Sequence, residues 1–156
     1  MLERFTNYFE RIEMPLPMIA KAEAVCSTFR HFIAKPVTAV FVSDDYELSP
    51  EKENIRRYNS LWLFTEDKLI IECKKFVIES NMDFMHLEKV SYVEITTTQF
   101  DNLEGASTIK SRLVVSVKFG ESNTGLASVG GMFSARYNNC NYLFKFVKDV
   151  FWPRLA

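Results

Sequence analysis

The sequence predicts an α+β domain: a bent antiparallel sheet or partly open barrel, with an N-terminal helical pair and a C-terminal capping helix. Three observations predict it. Short runs of aromatic and β-branched residues recur between polar breaks from Val37 to Arg136, the composition of half-buried strands. Leu143, Phe146, Val147 and Val150 then repeat at spacings of three and four, the period of a helix with one apolar face. Leu2, Phe5, Phe9 and Ile12 repeat the same way at the other end.

The first helical stripe has Glu3, Arg4, Asn7, Glu10 and Arg11 on its opposite face. Pro15 and Pro17 interrupt it, because proline lacks the N–H that a continuing helix needs. A second helical pattern runs through Met18, Ala22, Val25, Phe29, Phe32 and Ile33 to Lys35-Pro36. Residues 1–35 are therefore expected to form a helical extension packed on a core domain of residues 36–156. The stripe of Leu2, Phe5, Phe9 and Ile12 has two readings. It either covers the core, or it docks a protein partner or a second copy of the chain in a homo-oligomer. A membrane-surface helix would carry Lys and Arg on its polar face, and the mixed charges here argue against one.

Val37 to Val42 reads as the first strand. Ser43 to Asn59 is a polar loop, acidic through Asp44, Asp45, Glu47, Glu51 and Glu53 and closed by Arg56 and Arg57. Leu61 to Phe64 and Leu69 to Ile71 flank the polar turn Thr65-Glu66-Asp67-Lys68, a hairpin pattern. Phe76 to Ile78 follows as a short strand. Asn81 to Asp83 reads as a turn, and Phe84, Met85 and Leu87 come next. In Val90 to Thr97, Ser91, Val93, Ile95 and Thr97 share one face, with Tyr92, Glu94 and Thr96 on the other. Gln99 to Lys110 reads as a loop. Leu113, Val115, Val117 and Phe119 alternate with Val114, Ser116 and Lys118, a strand with one buried face. Gly130-Gly131 reads as a turn or a flexible loop before a last strand, Met132 to Arg136. Asn139 or Asn141 suits the start of the final helix, and Pro153 stops it.

Composition excludes several classes. With 156 residues, 47% of them hydrophobic and 14 of them Phe, the chain can fold as one domain around an aromatic core. Its net charge of -1 lacks the basic excess of a nucleic-acid binder. No apolar run approaches the roughly 20 residues that span a bilayer. The first residues, with Glu3, Glu10 and Glu13, do not read as a secretory leader. Cys26, Cys73 and Cys140 are odd in number and widely spaced, which fits a reducing compartment and small buried side chains. The expected location is cytoplasmic, with peripheral membrane association as the variant. His31 and His86 have no Cys or His at zinc-ligand spacing, and His86 beside Glu88 has the elements of an acid/base pair but reads rather as a surface or turn histidine. Gly125 and Gly130 have the spacing of a phosphate loop, but Gly131-Met132 stands where Lys and a hydroxyl residue are required. No metal, cofactor or catalytic residue is therefore expected.

The segments SLWLFTEDKLIIE, MHLEKVSYVEI, RLVVSVKFG and NYLFKFVKDVFW occur in that order. Together they resemble the pleckstrin-homology-like superfamily, especially its GRAM-like and bacterial members, over Val37 to Leu155. The resemblance implies a non-catalytic module that binds another protein or a phosphorylated lipid headgroup. Lipid-binding members carry a basic cluster near the first hairpin, and the resemblance points to Arg56, Arg57, Lys68, Lys74 and Lys75. Converging cations hold a phosphate through charge-assisted hydrogen bonds. The family's basic-x-Arg spacing is missing from this hairpin, however, and the neighbouring loop is acidic. Protein binding is therefore the leading expectation. The alternatives are anionic lipid headgroups, and a small apolar ligand held between sheet and helix.

Overall fold

The computed structural model describes residues 2–44, 58–76, 81–100, 110–121, 128–136 and 138–155. The helices are α1 (Leu2–Arg11), α2 (Leu16–Phe29) and α3 (Asn139–Phe146). The strands are β1 (Val37–Asp44), β2 (Tyr58–Thr65), β3 (Leu69–Lys74), β4 (Asn81–His86), β5 (Tyr92–Phe100), β6 (Lys110–Glu121) and β7 (Ser128–Arg136). A π-helical turn, Val147–Phe151, and a 3-10 turn, Trp152–Arg154, follow α3. The class is α+β, as predicted. Its strands are shared between two open sheets, one ordered β1-β2-β3-β4 and the other β5-β6-β7. No helix among the described residues is long and apolar enough to cross a membrane.

Contacts divide the chain into two compact units. The first unit holds Met1–Ser43 and Arg57–His86. The second holds Asp44–Arg56 and Leu87–Ala156. The N-terminal helices thus belong with the four-stranded sheet.

In the first unit, the apolar stripe of α1 turns inward, leaving Phe9 and Ile12 with no exposed surface. Fully burying one such side chain contributes about 2 kcal/mol. Two tyrosines stitch this core. The backbone N–H of Val42 donates to the Tyr8 hydroxyl at 2.9 Å, and the Tyr58 hydroxyl donates to the Ile12 carbonyl at 3.3 Å. Pro15 starts α2 as its N-cap residue. The helix ends at Phe29, before Phe32, which is 67% exposed and so lies outside the apolar face that its spacing predicts. The β2–β3 hairpin forms as expected, with Leu63 opposite Ile71 and Phe64 opposite Ile70. Asn81 to Asp83 is a correction: these residues are strand, paired with Lys74, Cys73 and Glu72 of β3. The ladder supplies their backbone partners, and that overrides the weak strand preference of Asn and Asp. Of the short strand expected at Phe76 to Ile78, Phe76 is a turn residue and the other two lie outside the described residues.

In the second unit, Leu113, Val115, Val117 and Phe119 of β6 are buried, as their alternation predicts. Phe133 of β7 joins them and packs against Phe146 and Phe151, with ring centroids 5.8 and 5.2 Å apart. Phe151 also stacks on Phe119 at 6.0 Å. The π-helical turn takes an extra residue into the helix, and both Val150 and Phe151 are buried in it. The helix cap falls on Asn138, not on Asn139 or Asn141. Asn139 is buried, and its side-chain amide donates instead to Asp44 Oδ2 at 3.1 Å. Gly130 and Gly131 are a second correction, since both lie within β7, beside a bulge between Lys118 and Gly120 of β6. The chain leaves the 3-10 turn beside the approach to β5, where the N–H of Val90 donates to the Arg154 carbonyl at 3.0 Å.

Candidate functional site

Of the basic residues named from the sequence, Lys68, Lys74 and Lys75 are described, and Lys68 lies apart from the other two. Lys68 sits in the β2–β3 turn at the start of β3, whereas Lys74 ends β3 and Lys75 follows it. Six residues of strand separate Lys68 from Lys74, about 20 Å at the usual rise, too far to share a phosphate. Lys74 is already paired. Its Nζ lies 3.0 Å from Asp83 Oδ2 and 3.9 Å from Glu72 Oε1. The hydrogen bond to Asp83, then the charge of Glu72, raises the Lys74 pKa. Burial raises that of Glu72, against the opposing effects of the Ser60 hydroxyl, which donates to Oε2 at 3.0 Å, and of Lys74. Lys74 is exposed, so the pair contributes little to stability. Its consequence is local: two carboxylates offset this cation. Arg56 and Arg57 lie outside the described residues.

The stripe proposed for docking is accounted for inside the first unit. Phe5, Phe9 and Ile12 are buried, so they offer no apolar surface to a second copy. Leu2 begins α1, and its side chain lies outside the described residues. His31, His86 and Glu88 are exposed. Among the described residues no group of three or more His, Cys, Asp or Glu could hold a metal ion. All three cysteines are buried. Burial, followed by the neighbouring Cys73, pushes the Cys26 thiol up to about 12. Burial thus favours the protonated, less reactive form of this thiol.

One surface was not singled out from the sequence. Among the described residues β5 has a strand neighbour, β6, on one side only. Its pairing runs in unbroken register from Tyr92 opposite Lys118 to Phe100 opposite Lys110. Opposed residues share a face, so Val93, Ile95 and Thr97 lie on the same side as Val117, Val115 and Leu113. On β6 and β7 that side is covered by α3 and the turns after it. On β5 it is open: Val93 is half-buried, Thr97 is exposed and Ile95 is 45% exposed. On the other side, the Tyr92 hydroxyl donates to Glu94 Oε2 at 2.7 Å, which raises the tyrosine pKa. Lys118 Nζ stands 5.3 Å from the centre of the Tyr92 ring.

Edge strands are usually protected by Lys, Pro, a bulge or a cover. The nine residues of β5 include no Lys and no Pro, and Glu94 is their one charge. Three consecutive threonines, with Val93 and Ile95, suit an extended backbone. Such an edge can accept a further strand through its outward N–H and C=O groups. The signal was present in the sequence as a β-branched run with one charge. What was missing was the knowledge that this strand, and not β6, is the edge. Comparison with protein-family models, with curated proteins and with solved structures gives no match.

Proposed function

We propose that this chain is a non-catalytic interaction module of the pleckstrin-homology-like kind, and that it binds protein by strand addition along β5. The supporting observation is the uncovered edge: Ile95 is 45% exposed on the side where Val115 and Phe133 of the same sheet are fully buried. The order of elements, antiparallel strands followed by one amphipathic C-terminal helix, supports the superfamily reading. Protein is favoured over a lipid headgroup because Lys68 stands at the opposite end of β3 from Lys74 and Lys75, and Lys74 already has carboxylate partners.

Photo-cross-linking from Thr97 of the full chain tests this reading. The expected partner cross-links at Thr97 as an extended segment. It is lost when Ile95→Lys places a charge on the edge, as natural edge strands do. A partner that cross-links elsewhere and is indifferent to Ile95→Lys would overturn the reading.

A further inference from the structure

We infer that the outer face of the C-terminal helix, formed by Phe144, Lys145, Lys148 and Trp152, docks on an anionic membrane surface. This goes beyond protein binding at β5, and it uses neither that edge nor the lysines of the β2–β3 hairpin. Phe144 is 47% exposed and Trp152 is 58% exposed. Neither belongs to the buried side of the helix, which holds Leu143, Phe146, Val147, Val150 and Phe151. The π turn shapes the outer face. In an unbroken α-helix Lys148 would stand about 40° round the axis from Phe144, and Trp152 about 80°. A π turn holds more residues, so each advances less round the axis. Val147–Phe151 is such a turn, and it brings Trp152 back towards the line of Phe144 and Lys148. The resulting ridge follows the helix for about 12 Å, with Lys148 between the two rings and Lys145 beside it.

The chemistry of the ridge selects its occupant. Lys145 and Lys148 are exposed, and neither has an ion pair among the described residues. Asp149 is the one acid from Asn139 to the end of the chain. Arg154 is otherwise engaged, since its Nη1 donates to the Val150 carbonyl at 2.6 Å. Trp and Phe favour the boundary between lipid headgroups and acyl chains, and Lys is drawn to anionic lipid. The apolar stem of Lys148 can lie with the two rings while its ammonium stays among the phosphates. A protein-docking patch built on Trp and Phe would be poor in Lys, which is depleted at protein interfaces. Nucleic acid is disfavoured by the net charge of -1. Because the ridge runs along the helix, the helix rests parallel to the bilayer and its other side keeps its place in the core.

Flotation of the full chain with phosphatidylcholine vesicles, with and without phosphatidylserine, tests the inference. Binding should require phosphatidylserine and weaken as salt rises. The chain has two tryptophans, and Trp62 is fully buried, so a blue shift of emission on binding reports Trp152. Lys145→Gln and Lys148→Gln should each weaken binding about five-fold. Trp152→Ala should weaken it and remove the blue shift. All three positions are exposed, so each loss should come with an unchanged urea midpoint. Ile95→Lys should not weaken vesicle binding, which separates this test from that of the β5 edge. No binding to phosphatidylserine vesicles at low salt overturns the inference. Binding that is indifferent to Trp152→Ala and Lys148→Gln also overturns it, because the lipid then meets another surface. A protein that shields Trp152 from a fluorescence quencher, with no vesicle binding, overturns it in favour of a protein interface.

Discussion

A Cβ placed on Gly130 would stand 2.2 Å from the carbonyl oxygen of Val117. The obstacle is backbone, so no side-chain rotation relieves it. Gly130 pairs with Lys118 where β6 and β7 change register at the bulge, and the close approach depends on a residue without a side chain. Gly130→Ala should therefore force β7 away from β6 and cost about 1–3 kcal/mol, the usual range for overpacking. The urea midpoint measures it. An unchanged midpoint would mean that the two strands separate there without resistance.

Asp44 carries a second local constraint in the same unit. Its Oδ2 accepts the backbone N–H of Arg136 at 3.0 Å and the Asn139 amide at 3.1 Å, and the residue is 1% exposed. One carboxylate thus ties the end of β7 to the start of α3. Asp44→Ala removes the acceptor from two buried donors and should cost about 2–4 kcal/mol. Asp44→Asn keeps an oxygen in place and should lose roughly half as much. Equal losses from the two variants would assign the effect to charge, with the hydrogen bonds playing no part.

These two sites show what the sequence carries and what it does not. The alternation in Leu113, Val115, Val117 and Phe119 marks a buried face, because burial repeats with the pleat. The helical spacing of Leu143, Phe146, Val147 and Val150 is legible for the same reason. Gly130 and Asn81 misled because Gly and Asn are turn formers locally, while their strand state comes from a neighbour in space. Asn139 looks like a cap until Asp44, distant in sequence, takes its amide. Lys68 parts from Lys74 and Lys75 because proximity in sequence says nothing about which end of a strand a residue occupies. The β5 edge was hidden for a related reason. Its residues read as an ordinary half-buried strand, and only the sheet order shows which strand lacks a neighbour.

Lys68 adopts φ 65° in the β2–β3 turn, where the Cβ of an L-residue costs about 1 kcal/mol. Its N–H donates to the Thr65 carbonyl at 3.1 Å, closing the turn. Lys68→Gly removes the Cβ conflict but gives the unfolded chain more freedom. A net gain of about 0.5 kcal/mol is expected by chemical denaturation. Binding to anionic vesicles, if any is measured, should be unaffected, because Lys68 stands apart from Lys74 and Lys75. A stable Lys68→Gly protein that loses vesicle binding would return Lys68 to a headgroup site.

Cys26 makes the alkaline limit of stability testable. Burial, then the Cys73 thiol, moves its pKa from an ordinary 9.0 to about 12 in the folded chain. The unfolded thiol ionises first as pH rises. Above pH 9 the unfolded state has lost a proton that the folded state still holds, so stability falls with pH until about 12. Below pH 9 both states hold the proton, and this group contributes no slope. The expected slope is about 1 kcal/mol per pH unit between 9 and 12. Cys26→Ala should flatten that part of the profile when the two proteins are compared by urea denaturation at each pH. Other groups titrate in the same range, so the difference between the two profiles is the quantity to read. In parallel, a thiol reagent at neutral pH should label the native chain only as fast as it opens, and all three cysteines once it is unfolded. Rapid native labelling of Cys26, or superimposable alkaline profiles, would show that this thiol is not held in the core as the 3% exposure requires.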